Sequence, residues 1–283
     1  MSRDAIAPTW NAADPAVAPR IWVLLGDKAG DNEQCLALAE ALGWPHDVKH
    51  LAYNRHFRRW NVRLGAALTS VDRERSDPLV PPWPDLVVGV GRRSVPVARW
   101  IRRQNADRTR LVQLGRPRAP LGWFDLVVTT PQYGLPARDN VVILALPPVR
   151  RRLPEGAAAA SWAALPRPRI AVLVGGRGDP FTIDPVAAAH LGRSASALAT
   201  RLGGSLLIAT SRRTEPATVD ALAANLHAPH VLQCWSPEPT TNPYPVLLAD
   251  ADRFVVTGDS MSMLADAVAT GKPVALFPGT HRP

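Results

Sequence analysis

The feature that most constrains the fold of this chain is a regular alternation of short apolar runs with longer helix-like stretches. The apolar runs are rich in Val, Ile and Leu and lack polar alternation, which is typical of parallel strands covered on both faces. A strand that returns parallel to its predecessor needs a crossover, and that crossover is usually a helix. The sequence therefore predicts an α/β protein with Rossmann-like parallel sheets.

The alternation falls into two blocks, separated by a segment rich in Pro and Arg. Predicted strands cover residues 21–25, 86–90, 111–114, 126–129, 141–144, 170–174, 205–209, 231–234, 254–257 and 274–277. Predicted helices cover residues 32–42, 57–68, 95–103, 185–202, 216–225, 244–249 and 261–270. We expect a disordered leader over 1–20, a first domain over 21–148, a linker over 149–168 and a second domain over 169–283. Two such domains are expected to face each other across a ligand-binding cleft.

Composition excludes several classes of protein. No run among the 283 residues approaches the roughly 20 apolar residues of a membrane span. The leader has no apolar segment of the signal-peptide kind, so a cytoplasmic location is expected. Neither the two cysteines nor the seven histidines show metal-ligand spacing, and no metal site is predicted. The net charge of +9 favours anionic ligands, but no nucleic-acid-binding motif is present and no nucleic acid partner is expected.

Loops after the predicted strands of the second domain carry groups suited to a diphosphate. Gly176 and Arg177 follow the first strand, and glycine lets a backbone approach a phosphate closely. The next strand is followed by Ser211, Arg212 and Arg213, whose guanidinium groups bind phosphate oxygens in bidentate fashion. These loops are predicted to bind a nucleotide-sugar donor, although tight turns and a solvated helix cap explain the same residues.

The closing strand, loop and helix of the second domain add to this predicted donor site. The loop contains Asp259 and Ser260, and a helix that begins after such a loop favours anions at its N-terminus. Asp266 lies inside the helix, and helical side chains lean toward the N-terminus. We expect Ser260 and Asp266 to contact the donor, with a simple helix cap by Asp259 or Ser260 as the alternative.

The first domain carries a second group of charged residues after its strands. Asp27, Lys28 and Asp31 follow the first strand, and either carboxylate is a candidate general base for an acceptor hydroxyl. The alternative is that Asp31 or Asn32 caps the following helix. The paired Arg92 and Arg93 precede another helix and form a predicted anion site, to which Lys28 adds charge. We assign these residues to the acceptor side.

Residues 57–68 combine apolar positions at helical spacing with a run of arginines. The apolar positions are Phe57, Trp60, Leu64 and Leu68, and the basic residues are Arg55, Arg58, Arg59 and Arg63. Two interpretations stay open. Either the apolar stripe packs on the core and the basic face is solvated, or the helix lies on an anionic membrane. The second would give peripheral contact with the inner membrane.

Several of these segments together resemble a family of bacterial and plant proteins named for mitochondrial fission, of the elongated-mitochondria type. The similarity runs from Ile21 to the C-terminus. The matching stretches are Gly26-Asp-Lys-Ala-Gly-Asp-Asn32, Gly89-Val-Gly-Arg-Arg-Ser94, Thr129-Thr-Pro-Gln-Tyr-Gly-Leu-Pro136, Thr210-Ser-Arg-Arg-Thr214, Asn242-Pro-Tyr244 and Val256-Thr-Gly-Asp-Ser-Met-Ser-Met263. The resemblance implies a fold similar to GT-B glycosyltransferases, in which an acidic residue at the position of Asp266 binds the donor ribose.

The resemblance implies two alternative functions. One is a metal-independent glycosyltransferase that needs no cofactor and transfers sugar from a nucleotide-sugar to an unidentified, membrane-associated acceptor. The other is a non-catalytic scaffold that binds a protein or a membrane surface, since plant members of the family are implicated in recruiting the dynamin-related fission machinery. Short-chain epimerases use a Tyr that is followed four residues later by a Lys, and this chain has no such pair.

Overall fold

A computed structural model describes residues 18–150, 162–178, 181–237 and 243–281. The chain divides into two compact units, of which the first ends at Arg150 and the second begins at Arg151. Most of the predicted leader and most of the predicted linker lie outside the described residues, as does Asn242. Each unit contains a parallel sheet with helices, which confirms the predicted α/β class.

The first unit has eight strands and three helices among its described residues. Its strands are β1 (Ile21–Leu25), β2 (His46–His50), β3 (Ala52–Tyr53), β4 (Val71–Asp72), β5 (Leu86–Val90), β6 (Arg110–Leu114), β7 (Leu126–Thr129) and β8 (Val141–Ile143). Its helices are α1 (Ala29–Leu42), α2 (Asn61–Leu64) and α3 (Ser94–Gln104). Six strands form one parallel sheet in the order β2-β1-β5-β6-β7-β8, and β3 pairs with β4 in a small antiparallel ribbon.

Strand β1 shows why this sheet is covered on both faces. Successive side chains of a strand point to opposite faces. Ile21, Val23 and Leu25 join one core cluster, which also contains Cys35 and Ala39 of α1. Trp22 and Leu24 join another cluster, together with Ile101 and other residues of α3. All five β1 residues are therefore buried, and the strand reads as a continuous apolar run.

The predicted helix over residues 57–68 is wrong. Arg55–Arg58 form a 3₁₀ turn that begins at Asn54, whose side chain accepts a hydrogen bond from the His56 amide. The backbone is extended at Arg59 and Trp60. Helix α2 then covers one turn and ends at Gly65, which has a φ of 65°. Phe57 and Leu68 therefore do not share a helical face with Leu64.

The second unit repeats the same construction. Its strands are β9 (Arg169–Val174), β10 (Phe181–Thr182), β11 (Ser205–Thr210), β12 (His230–Gln233), β13 (Arg253–Thr257), β14 (Val274–Phe277) and β15 (Thr280–His281). Its helices are α4 (Pro185–Leu202), α5 (Pro216–Ala223), α6 (Tyr244–Asp250) and α7 (Met261–Ala269). Five strands form a parallel sheet in the order β12-β11-β9-β13-β14, and β10 pairs with β15.

Strand β9 divides the core of this unit between two faces. Ile170, Val172 and Val174 pack in a cluster that contains residues of α4 and α5. Ala171 and Leu173 pack in a second cluster, which contains residues of α6 and α7. The six residues of β9 are all buried, as expected for the central strand of a parallel sheet.

Most of the predicted elements are confirmed within one or two residues, but the sequence prediction missed four short strands and strand β2. Strand β2 lies at the edge of the sheet formed by the described residues, where it pairs with β1, and it contains His46, Asp47, Lys49 and His50. Such a polar edge strand lacks the apolar run used to find the others. Helix α1 also begins earlier than predicted, at Ala29, with Lys28 in the cap position. Neither Asp31 nor Asn32 is therefore the helix cap.

Candidate functional site

The connections in each parallel sheet reverse direction at one point. In the second unit the chain leaves β9 for β11 on one side and later returns to β13 on the other side. In the first unit the neighbours of β1 are β2 and β5. Ligands of open α/β sheets bind beyond the carboxyl ends of the strands at such a reversal. The loops that follow β9 and β13, and those that follow β1 and β5, are therefore the places to search.

Asp259 holds together three loops at the carboxyl edge of the second sheet. Its side chain is fully buried and pairs with the Arg213 guanidinium, Nη1 to Oδ2, at 2.9 Å. It accepts hydrogen bonds from the Gly176 amide at 2.8 Å and from the Thr257 hydroxyl at 2.7 Å. We call this group of four residues the Asp259 junction. It fixes the loops after β9, β11 and β13 to one another.

The glycines of the β9 loop are required by this close packing. A Cβ atom at Gly175 would overlap the carboxylate of Asp259. A Cβ atom at Gly176 would overlap the backbone carbonyl of Arg213. Protein atoms, therefore, fill the space on the Cβ side of both glycines. The sequence prediction assigned Gly176 to close approach of a phosphate, whereas the structure shows a close approach of neighbouring loops.

The residues predicted to bind a diphosphate fall into two groups. Arg213 donates from Nη1 to the Arg177 carbonyl at 2.7 Å, and its amide donates to the Ser211 hydroxyl at 3.1 Å. Arg213 and Ser211 therefore stabilise the conformation of these loops. The side chains of Arg177 and Arg212 are exposed at the same edge. Arg177 forms an exposed ion pair with Glu215 at 3.2 Å, which is a weak contact that a ligand can replace.

Helix α7 carries the last two predicted donor contacts. Ser260 is buried at the cap position, and its hydroxyl lies 3.5 Å from that of Ser262 without capping the backbone. Asp266 accepts a hydrogen bond from the Tyr244 hydroxyl at 2.9 Å. Burial, with the charge of Asp266, raises the pKa of Tyr244 well above its usual value, so Tyr244 stays a donor. This pair was not predicted from the sequence.

Four of the five predicted catalytic and basic residues of the first unit converge where β1 and β5 end. Asp27 and Arg93 form an ion pair at 2.6 Å, and Lys28 lies 3.7 Å from Asp31. Burial raises the pKa of Asp31, and the nearby Lys28 opposes that shift. Asn32 closes the loop, because its side-chain amide binds both the amide and the carbonyl of Gly26.

Arg92 points away from this group. Its guanidinium Nη2 donates to the Phe57 carbonyl at 2.8 Å and to the Arg59 carbonyl at 2.7 Å. Burial lowers the pKa of Arg92, as do the charges of Arg118 and Arg93. The structure therefore separates the two arginines of the predicted anion site. Arg93 joins Asp27, while Arg92 anchors the segment around Phe57.

A small polar pocket lies one turn along α1 from Asp31. It has a volume of about 10 Å³ and is lined in part by Gln34, Thr129, Thr130 and Tyr133. The hydroxyls of Thr129 and Thr130 are buried and have no hydrogen-bond partner among the described residues. Buried polar atoms normally have partners, so these two hydroxyls are exceptions within the first unit. The stretch from Thr129 to Pro136 carried part of the family resemblance, but the burial of its hydroxyls was not predicted from the sequence.

The described residues contain neither a candidate metal centre nor a membrane span. Among them, no group of three or more His, Cys, Asp or Glu residues is placed to hold a metal ion. The neighbouring carboxylates of Asp250 and Asp252 form ion pairs with arginines. Asp250 pairs with Arg167 at 2.5 Å and with Arg169 at 2.6 Å. Asp252 pairs with Arg167 at 2.6 Å. No helix in the described ranges combines the length and the apolar character needed to cross a bilayer.

Comparison with solved structures shows the fold. The chain is similar to UDP-GlcNAc 2-epimerase from Neisseria meningitidis bound to UDP-GlcNAc, with a TM-score of 0.52, 12% identity, and coverage of 93% of this chain and 83% of that one. It is also similar to S. aureus MnaA in a structure with UDP, with a TM-score of 0.54, 10% identity, and coverage of 90% and 78%. The predicted GT-B-like architecture of two parallel-sheet domains is confirmed. The expected cleft stays a prediction.

Comparison of sequences identifies the relatives. The chain is 24% identical to the uncharacterized protein RP120 of Rickettsia prowazekii (strain Madrid E), over 91% of this chain and 82% of that protein. It is 30% identical to the mitochondrial fission protein ELM1 of Arabidopsis thaliana over 70% of this chain, which corresponds to 52% of the plant protein. The profile of the family described as "Mitochondrial fission ELM1" matches residues 29–283. The chain therefore belongs to the mitochondrial fission ELM1 family.

Proposed function

We propose that the second unit binds a nucleotide-sugar and that the protein transfers the sugar to an acceptor held by the first unit. The observation that carries this proposal is the Asp259 junction. It fixes three loops beyond adjacent strands into one rim and leaves the side chains of Arg177 and Arg212 exposed there. A rim that is already ordered loses little conformational freedom when a ligand binds. The exposed guanidinium groups suit a diphosphate.

The choice of first ligands follows from the solved structures of similar fold, which were determined with UDP-GlcNAc and with UDP. In the proposed reaction the acceptor hydroxyl attacks the anomeric carbon of the sugar. The bond from that carbon to the diphosphate oxygen breaks, and the diphosphate departs with the electron pair. Arg177 and Arg212 stabilise the departing negative charge. Asp31 accepts the proton of the acceptor hydroxyl, and its raised pKa suits a general base.

Isothermal titration with UDP-GlcNAc, followed by other UDP-, GDP- and CMP-sugars, tests donor binding. We expect Arg177→Gln and Arg212→Gln each to weaken binding by roughly tenfold, the usual scale for losing one charged hydrogen bond. Arg201→Gln is the matched control. Arg201 is exposed in the last turn of α4, which precedes β11 and so lies away from the carboxyl edge of the sheet.

A second pair of variants tests whether Asp266 contacts the donor directly. Tyr244→Phe removes the hydrogen bond to Asp266 but keeps the carboxylate, whereas Asp266→Ala removes both. A donor contact through Asp266 predicts that Asp266→Ala loses binding and that Tyr244→Phe retains most of it. Equal effects of the two variants would assign Asp266 a structural role. If no nucleotide-sugar binds, the donor proposal fails.

Product analysis then separates transfer from other reactions of a bound nucleotide-sugar. Transfer gives a glycosylated acceptor and free nucleoside diphosphate, or free CMP when the donor is a CMP-sugar. Loss of both products in Asp31→Asn would support its role as base. Isomerised nucleotide-sugar would instead indicate an epimerase. Binding without any turnover would favour a non-catalytic scaffold. The filled space beside Gly175 and Gly176 is the observation that favours that second candidate.

A further inference from the structure

The segment around Trp60 is a surface feature that the proposed function does not use. Trp60 is 74% exposed and Val62 is 63% exposed. The side chains of Arg58, Arg59 and Arg63 are exposed beside them. Exposure of two large apolar side chains to water is unfavourable. An exposed apolar surface that polar residues surround is typical of an interaction site.

The protein holds these side chains outward by specific contacts beneath them. The Asn61 side-chain amide donates to the Arg92 carbonyl at 2.9 Å and to the Pro117 carbonyl at 2.8 Å. Asn61 and Leu64 are buried, so the residues between them and on either side face away from the core. The Arg92 guanidinium also binds the carbonyls of Phe57 and Arg59. The exposed position of Trp60 is therefore built into the fold.

The charged residues in the two segments that meet at Asn61 are all basic. The Asn61 contact with Pro117 brings the exposed Arg116 and Arg118 to the same place. The sequence has no acidic residue from 48 to 71 or from 108 to 124. We call Arg58, Arg59, Trp60, Val62, Arg63, Arg116 and Arg118 the Trp60 patch. It combines five positive charges with an exposed indole and an exposed aliphatic group.

We propose that the Trp60 patch docks the protein onto an anionic lipid bilayer. Indole rings prefer the interface between headgroups and acyl chains, and arginines are attracted to anionic headgroups. Val62 adds an apolar group beside Trp60, which acyl chains accommodate and a nucleic acid backbone does not. The patch thus takes Arg58, Trp60 and their neighbours from the segment that does not form the predicted membrane-lying helix, and adds Arg116 and Arg118. This inference does not depend on sugar transfer.

Flotation of the full-length protein with vesicles tests the proposal. Vesicles of phosphatidylcholine alone are compared with an equimolar mixture of phosphatidylcholine and phosphatidylglycerol. We expect binding to the mixture, and weaker binding as salt rises, because exposed charges are screened. Arg59→Gln with Arg63→Gln is expected to weaken partitioning by roughly twenty-five-fold, or about fivefold for each arginine. Trp60→Ala is expected to weaken it by roughly tenfold, as expected for one interfacial apolar side chain.

Matched variants in the second unit serve as controls. Arg193→Gln with Arg201→Gln removes the same charge from exposed positions of α4, and Trp235→Ala removes an indole that is 47% exposed. Both controls are expected to float like the unchanged protein. No flotation with the anionic vesicles would overturn the proposal, and so would equal losses in control and patch variants. Binding of single-stranded RNA through the same residues, without flotation, would also overturn it.

Discussion

The pKa values of Asp31 and Asp250 are shifted in opposite directions because the surroundings of the two carboxylates differ. Burial dominates at Asp31 and raises its pKa. Burial would raise the pKa of Asp250 as well, but the hydrogen bond from Trp162 and the charges of Arg169 and Arg167 outweigh it and lower that pKa. The sequence shows both carboxylates but not the residues that contact them. The partners of Asp250 lie more than 80 residues away along the chain. Replacing each carboxylate is therefore expected to change the stability at neutral pH in opposite directions.

Asp31→Asn is expected to stabilise the protein at neutral pH. A raised pKa means that the folded protein binds the Asp31 proton more tightly than the unfolded chain, so ionisation costs stability as pH rises above the unfolded value of 3.8. The variant avoids that cost. Chemical denaturation as a function of pH should show a gain at neutral pH that disappears below 3.8. A variant less stable than the parent at neutral pH would contradict the role of burial.

Asp250→Asn is expected to have the opposite effect. A lowered pKa gives stability that is present above the unfolded value of 3.8 and is lost as pH falls through the folded pKa. Loss of the charged hydrogen bonds should lower the free energy of unfolding by about 2 kcal/mol at neutral pH. The difference from the parent should close on acidification. Asp220→Asn, at an exposed position of α5, is the control and should be nearly neutral.

Residue types in the candidate site could be found from sequence, but their pairings could not. Asp27 and Arg93 both follow predicted strands, yet they are 66 residues apart and meet only because β1 and β5 are neighbours. Strand adjacency depends on the crossovers of the whole sheet. The Asp259 junction was not predicted for the same reason, because it joins loops that follow neighbouring strands. From the sequence alone, an Asp before a helix is explained equally well as a local helix cap.

At the scale of elements, local signals decided which predictions were accurate. Helix α4 has the bounds predicted, because Asp184 caps it, Pro185 begins it and Gly203 ends it. The segment over residues 57–68 has comparable apolar spacing, but Gly65, with a φ of 65°, interrupts it. There Arg92 binds the carbonyls of Phe57 and Arg59, which a helix would need for its own hydrogen bonds. A long-range contact thus overrides the local pattern.

Gly176→Ala tests the fit between loops at the carboxyl edge of the second sheet. The added Cβ atom would meet the Arg213 backbone carbonyl, which belongs to a neighbouring loop and cannot turn aside as a side chain can. We expect the free energy of unfolding to fall by about 2 kcal/mol, as for other overpacked sites. Donor binding should weaken with it, because the rim is displaced.

Gly122→Ala is the control for that experiment. No heavy atom lies within 4 Å of a Cβ atom built there. Urea denaturation of both variants measures the difference, with Gly122→Ala expected to match the parent. Equal stability of Gly176→Ala and the parent would show that the loops separate easily, and it would remove the argument for an ordered rim.

At the scale of the whole molecule, each unit has its own core. The clusters of the first unit contain residues from 21 to 144, and those of the second unit contain residues from 162 to 277. The α/β class and the two sheets were predictable from the apolar runs alone. Strand order and the polar edge strand β2 were not, because they follow from pairing between distant segments.

Separate expression of residues 1–150 and 151–283 tests the independence of the two cores. A compact unit with its own hydrophobic core is expected to fold alone. Each fragment should therefore show a cooperative urea transition by circular dichroism. The absence of a cooperative transition in either fragment would mean that its core depends on the rest of the chain.

The central place of β9 has a consequence for synthesis on the ribosome. β9 is made first in its sheet, and one edge pairs with β11, which begins at Ser205. Its other edge pairs with β13, which is complete only at Thr257. Between those two moments β9 has an open edge of unpaired backbone N–H and C=O groups, on a strand whose residues 170–174 are all apolar. Such an edge promotes aggregation, and chaperones cover surfaces of this kind. Slow translation between the two strands should therefore increase the yield of misassembled protein.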